Sequence, residues 1–409
     1  MGAISDQTDW SGFLKAAMAA VIPLNMHWDL TYRCDHKCVH CYLTDRHRKE
    51  LTLEESIDLL DQLVEAGTLS ILFSGGDLFL RPDAIDILRA ARDRNFDVRL
   101  NTHGNFITEE VADALAEMRV ARVSISIYSE NASAHEAVTL IEGSHGKSLA
   151  GAQRMIDRGV NVVFKTPVMV QNRACYQTVG PLAKKMGATW ELDAHIVPDD
   201  QSDFGLCAIG VHSSERVLAM IGEMLNKNDT MPHWYEFGDA PSTSRTCSAG
   251  TAMGYISPDG FLYPCLNWRD PMGDLRQDSF QSLWKESPAA KRQREITRAS
   301  YLSDCDGCGF NGKCHYCPGI SHAEHGEAGR RSEYVCERTH LTMSAFEHAK
   351  HLSDTGQSLP APGSSDAEAL LERSTFADRQ WAARQAGVSR AADRIRPTPN
   401  LVQIGEPGQ

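Results

Sequence analysis

The stretch Cys34-Asp35-His36-Lys37-Cys38-Val39-His40-Cys41 places three thiols within eight residues, in the spacing CxxxCxxC. A strand-like apolar run at 26–30 leads into it. Soft thiolates suit iron–sulfur clusters or zinc. Zinc in a structural site takes a fourth ligand close by. A [4Fe–4S] cube held by three cysteines instead leaves one iron open to an outside ligand. A zinc site, or three unrelated cysteines, is the bland alternative.

Outward from the triplet, short apolar runs alternate with helical ones to about residue 200. Strands are expected at 26–30, 69–73, 97–101, 122–127, 160–166 and 189–195, each bounded by turn signals. Helices are expected at 52–66, 82–94, 108–118, 147–158 and 176–186, with a further one at 213–227. Thr52-Leu53-Glu54-Glu55 reads as a capping box ahead of the apolar face Leu53, Ile57, Leu60 and Val64. Gly67 and Gly159 fit left-handed caps, and Pro82 suits a first helical turn. Repeated β-α units imply a parallel sheet with right-handed crossovers. This pattern alone leaves a doubly wound sheet and a curved partial barrel equally open.

Composition narrows the class. The chain has 409 residues, 42% of them hydrophobic, enough for a large domain with an appendage. Its net charge of −13 argues against general affinity for nucleic acid or an anionic membrane. No apolar run approaches the ~20 residues of a membrane span. The first ten residues show no secretory pattern, and twelve cysteines then point to metal or redox chemistry in a reducing cytoplasm.

The triplet on the loop after the first strand resembles the signature of the radical S-adenosylmethionine (SAM) superfamily. The resemblance implies a (β/α)6 partial TIM barrel, an α/β fold with its site at the carboxyl ends of the strands. It implies that Cys34, Cys38 and Cys41 hold a [4Fe–4S] cluster whose open iron chelates SAM, and that electron transfer to SAM yields a 5′-deoxyadenosyl radical. In that family an aromatic residue before the third cysteine packs by the adenine; here it is His40. Gly75-Gly76-Asp77 stands where relatives have Gly-Gly-Glu for the SAM amino group. Glycines there let a backbone edge approach a ligand. Thr102 follows the third strand, and Ser124 and Ser126 share a face of the fourth, with Ser126 implied as the ribose contact. Lys165 ends the fifth strand; its partner is expected to be the SAM carboxylate or Asp193. His135-Glu136-Ala137-Val138-Thr139 lacks the arginine that relatives carry there.

Seven cysteines collect between 228 and 350, as Cys247-x12-Gly260-x4-Cys265, Cys305-x2-Cys308-x5-Cys314-x2-Cys317 and Cys336. Residues 255–263 read as a tight hairpin turned at Pro258-Asp259-Gly260, which would bring the flanking cysteines together. Two zinc knuckles are the alternative. The array closely resembles the SPASM domain, which carries auxiliary iron–sulfur clusters, with x2 in place of x3 before Cys317. The resemblance assigns Cys305, Cys308, Cys314 and Cys336 to a distal [4Fe–4S] cluster, and Cys247, Cys265 and Cys317 to a proximal one. Cys175 or Cys207, a carboxylate or the substrate is then the proximal cluster's fourth ligand. The expected divisions are a lead-in at 1–25 with a helix at 11–21, the barrel at 26–230, and a small irregular α+β cluster domain at 231–350. A linker, a marginal helix near 366–394 and a frayed end fill 351–409.

By resemblance the chain is an oxidoreductase of peptide-maturase type. It would abstract hydrogen from a ribosomally made precursor peptide and leave a C–C or thioether crosslink or an oxidised residue. The SPASM block and the Gly319 segment after Cys317 favour this reading. Its implied partners are that peptide, a separate leader-binding protein, and an electron donor such as flavodoxin or ferredoxin. Tetrapyrrole maturation, formylglycine formation on a sulfatase, and a non-catalytic electron carrier or zinc adaptor are the alternatives. Asp193, His195 and Tyr235 are candidate acids or bases near the substrate.

Overall fold

Met26, Trp28 and Leu30 alternate along the first strand, and all three are fully buried. The residues between them, His27 and Asp29, face the other way and pair with each other. That alternation repeats along a parallel sheet of β1 (Asn25–Thr31), β2 (Ser70–Gly75), β3 (Asp97–Thr102), β4 (Arg122–Ser126), β5 (Val162–Pro167) and β6 (Thr189–Asp193). The computed structural model describes residues 10–211, 213–226, 241–310, 314–360 and 364–372.

Consecutive strands are neighbours throughout, in the order β6-β5-β4-β3-β2-β1. A doubly wound sheet reverses its strand order; this one does not, and the partial barrel is the fold. Trp28, Phe73, Leu100, Ile125 and Phe164 form the buried layer beneath the helices. Each such side chain contributes about 1.5–3 kcal/mol.

The helices that cover the sheet are α1 (Trp10–Ala20), α2 (Leu53–Glu65), α3 (Ala84–Asp93), α4 (Glu109–Glu117), α5 (Ala132–Thr139), α6 (Ser144–Ile156), α7 (Val179–Met186) and α8 (Ser213–Asn226). Thr52 and Glu55 form the expected capping box. Helix α1 packs Ala17 against Leu24 and Ala252, closing the amino-terminal end of β1 as expected. One correction concerns the segment before β5, where a single helix at 147–158 is expected. Two helices stand there. Asn131 caps α5 by accepting from Ser133 N and Ala134 N, and Leu140 ends it with φ 57°. The apolar period of α5 is too weak to show in the sequence.

The remaining elements are α9 (Phe280–Glu286), α10 (Pro288–Glu295), α11 (Leu302–Cys305), α12 (Pro318–His325), α13 (Glu333–Thr355) and α14 (Ser365–Glu372). Strands β7 (Met253–Ile256) and β8 (Phe261–Tyr263) form the expected hairpin, with Gly260 at φ +87° in its turn. The hairpin is not separate from the barrel. β7 pairs in parallel with β1, and β8 and β9 (Gly273–Asp274) extend the same sheet. At the opposite edge α13 packs on α8 through Leu341, Ala345, Val217 and Ile221. Residue 350 lies inside α13, so the expected boundary there cuts a continuous helix. The expected helix near 366–394 is described only as α14; its remainder, like Tyr235, lies outside the described residues.

Candidate active site

The triplet loop leaves β1 at the carboxyl end of the sheet. Its backbone is pinned by α5: Lys37 N donates to Thr139 O and Val39 N to Val138 O, both at 3.0 Å. Arg46 donates to the carbonyls of His36 and Cys34, which draws the loop around a guanidinium. Cys34, Cys38 and Cys41 are half-buried free thiols. Burial, then the neighbouring Cys41 and Cys34, pushes the Cys38 thiol up to about 12. A bound metal reverses that situation by stabilising thiolates, so the donor set fits a metal cluster.

Gly75 and Gly76 approach the start of this loop on their Cα side. A Cβ on Gly75 would lie 2.0 Å from Thr31 O, and one on Gly76 2.1 Å from Arg33 O. The Asp77 carboxylate is fully buried and turned inward. Oδ1 accepts from Phe79 N at 3.0 Å; Oδ2 accepts from Thr102 Oγ1 at 2.5 Å and His103 N at 3.1 Å. Asp77 and Thr102 therefore tie β2 to β3, and neither side chain is free for SAM in this arrangement.

His103 stacks on His36 at 3.8 Å and holds Asp35 at 3.0 Å and Asp77 at 3.2 Å through Nε2. Burial alone would lower it, but Asp77, Asp35 and Cys34 outweigh burial and push the ring up to about 10. A folded-state value above the unfolded ~6.5 stabilises fully below pH 6.5 and is lost as pH rises through 10. Urea unfolding of the metal-free protein should therefore show stability falling across pH 6.5–10, with a shallower fall in His103→Gln.

His40 sits edge-on to Tyr128, ring centroids 5.2 Å apart, and burial lowers it to about 4. Ser126 is in register with Lys165, and Lys165 with Glu191. Burial lowers the Lys165 ammonium, Arg122 adds to this, and Glu191 and Asp193 oppose it. Asp193 and His195 are 3.5 Å apart at the end of β6, Asp193 largely exposed.

Sequence reasoning missed a second polar group inside the barrel. Asp29, fully buried, accepts from Tyr255 Oη at 2.8 Å and Tyr42 Oη at 3.3 Å, and pairs with His27 at 2.9 Å. Tyr32 Oη lies 2.6 Å from Tyr255 Oη. An acid inside an otherwise apolar strand was the available signal; a buried carboxylate requires partners.

The C-terminal cysteines form two groups. Burial pushes the Cys247 and Cys265 thiols up, and Cys317 lies close enough to both to add to it. Cys305, Cys308, Cys314 and Cys336 line one cavity, and Cys317 lines it with them. Cys317 therefore stands beside both groups. Tyr301 and Tyr316, stacked at 4.5 Å, stand between the groups. Cys207 is elsewhere: its Sγ donates to Ile196 O at 3.1 Å. Cys175 sits in the turn before α7, its amide donating to Asn172 O. Neither is among the groups that act on Cys247, which are Ala249, Cys317, Arg245 and Thr246. Gly319 packs α12 onto the Asn267 backbone, where a Cβ would meet Asn267 O at 2.6 Å.

Residues 28–174 match the Radical SAM superfamily model, and 247–309 match SPASM, an iron–sulfur cluster-binding domain. The Fe-coproporphyrin III synthase of Methanosarcina barkeri is 30% identical over 70% of this chain and 81% of its own length. The chain belongs to the radical SAM superfamily. Other relatives of this radical SAM enzyme have different names. The AdoMet-dependent heme synthase of M. barkeri is 24% identical over 77% of this chain and 97% of its own. The mycofactocin maturase MftC of Mycobacterium tuberculosis is 26% identical over 71% and 77%. Among solved structures, Streptococcus suis SuiB bound to S-adenosylmethionine superimposes with a TM-score of 0.62 at 15% identity, over 77% of each chain. With both matched domains, [4Fe–4S] clusters and SAM are the cofactors of this radical SAM enzyme. Among the described residues, no helix is long and apolar enough to cross a membrane.

Proposed function

We propose that this enzyme matures a peptide, abstracting hydrogen from a ribosomally made precursor to leave a crosslinked or oxidised residue. The barrel interior carries the reading. Its face carries Asp29, Ser74, Asn101, Ser124, Ser126 and Lys165 inward, with Leu72 and Val163 among them, while the larger apolar residues turn to the helices. Such a wall suits a hydrogen-bonding peptide backbone better than a planar macrocycle, which wants apolar slabs. The MftC relative supports a peptide substrate.

Cys34, Cys38 and Cys41 would hold the SAM-binding cluster, with Arg46 as the cation beside it. Gly75 and Gly76 set the loop's height. When bound, cluster and SAM supply the 5′-deoxyadenosyl radical. Cys305, Cys308, Cys314 and Cys336 would hold one auxiliary cluster and Cys247, Cys265 and Cys317 another. Hairpin β7–β8 closes the barrel beside Tyr32 and Tyr42 and keeps water from the interior. An external flavodoxin or ferredoxin would supply electrons, and a separate protein would present the leader.

Tetrapyrrole chemistry is the second reading, favoured by the two synthase relatives. Mass spectrometry of anaerobic reactions with peptides encoded beside the gene, and with Fe-coproporphyrin III, decides between the two. A mass change on a peptide alone is the expected result; a change on the porphyrin alone defeats the proposal. Cys308→Ala should keep SAM cleavage within about threefold and lose at least about 90% of product, since it removes an auxiliary ligand only. Undiminished product would remove that cavity from the mechanism.

A further inference from the structure

Arg269 projects into the seam between the barrel and hairpin β7–β8. Its guanidinium carbon lies 4.9 Å from the Tyr255 ring centroid and 5.8 Å from that of Tyr263. The phenols of Tyr255 and Tyr32 lie beside it. The loop beneath is rigid: Trp268 is buried, Cys265 and Trp268 form a bridge, and Gly319 clamps Asn267 from below.

The neighbouring arginines are neutralised. Arg48, stacked over Tyr32, has Asp259 at 3.5 Å, Asp200 at 3.8 Å and Asp45 at 3.9 Å. Arg33 holds Glu50 at 2.8 Å and Arg276 holds Glu55 at 3.0 Å. Among the described residues no carboxylate lies within 4.0 Å of Arg269. Asp29 is reached only through phenols, and both its oxygens are taken by His27, Tyr255 and Tyr42. A largely desolvated guanidinium with only π faces and phenol dipoles around it lacks the anion that burial demands. Its planar fork suits a carboxylate.

We propose that Arg269 is the subsite for a carboxylate of the substrate, at the seam between barrel and hairpin, with Tyr255 and Tyr263 as its cradle. The proposal rests on this interior being the substrate chamber. The carboxylate has two possible sources, a peptide and a porphyrin propionate, and the chemistry of recognition is the same for both.

The test compares reconstituted wild type with Arg269→Gln and Arg269→Lys. The probes are peptides encoded beside the gene, each with a free or an amidated C-terminus, and Fe-coproporphyrin III with its tetramethyl ester. Wild type should bind the acid form of one probe at least about tenfold more tightly than the neutralised form. Arg269→Gln should bind both forms alike, Arg269→Lys should recover part of the preference, and iron content and SAM affinity should not move. Three results overturn the proposal: Arg269→Gln keeps the preference, wild type binds both forms equally or not at all, or SAM affinity falls with the substitution. The last would place the cation on the SAM carboxylate. A preference seen only with the porphyrin keeps the subsite and defeats the peptide reading. A peptide modified with no dependence on Arg269 does the reverse.

Discussion

Cys38→Ala protein, given SAM and dithionite, should release no 5′-deoxyadenosine, a loss of at least about a thousandfold, because two cysteines do not hold a cube with one open iron. The expectation is specific to the site because the loop does not depend on this thiol. Its backbone is fixed by Thr139 and Val138 of α5 and by Arg46. Burial, then Cys41 and Cys34, keep Cys38 a neutral thiol in the metal-free chain, so its removal breaks no ion pair. Circular dichroism and the unfolding midpoint should therefore match wild type. Cleavage surviving at a tenth of the wild-type rate would remove Cys38 from the cluster.

Gly76→Ala should be as damaging by another route. The new Cβ would sit 2.1 Å from Arg33 O, 2.6 Å from its carbonyl carbon and 2.7 Å from Tyr32 O. All three are backbone atoms, and two hydrogen bonds hold them there: Gly76 N to Thr31 O at 2.8 Å and Asp77 N to Arg33 O at 2.9 Å. The strand end and the triplet loop must separate, at about 3 kcal/mol or more. Denaturant unfolding measures that loss, and iron analysis should show about four fewer irons per chain. Gly146→Ala is the control: it is helical, with nothing within 4 Å of its Cβ position, and should be neutral or stabilising by up to about 1 kcal/mol. Equal behaviour of the two variants would show that close approach at Gly76 is not what holds the loop.

What could be read from the sequence was local. The capping box at Thr52 and the turn at Gly260 depend on residues within four positions of each other, and both stand as expected. The strands of the barrel follow from apolar alternation. The parallel pairing of β7 with β1 joins segments far apart in the chain, and no local pattern encodes it. The packing of α13 on α8 is hidden for the same reason. Within the site, cysteine spacing carried most of the information. The Asp77 carboxylate looked like a ligand because residue type says nothing about direction; its bonds to Thr102 and His103 turn it inward. Arg269 was invisible because its significance is the lack of a carboxylate around it, a property of three-dimensional surroundings.

The most direct test of the account is a metal count and paramagnetic resonance spectrum of the wild-type chain, reconstituted without oxygen, before and after SAM. Three cubes predict about twelve irons per chain and no zinc, with a reduced-cluster signal that shifts when SAM is added and disappears from the Cys38→Ala protein. Zinc at the triplet, or a reduced spectrum indifferent to SAM, would contradict it.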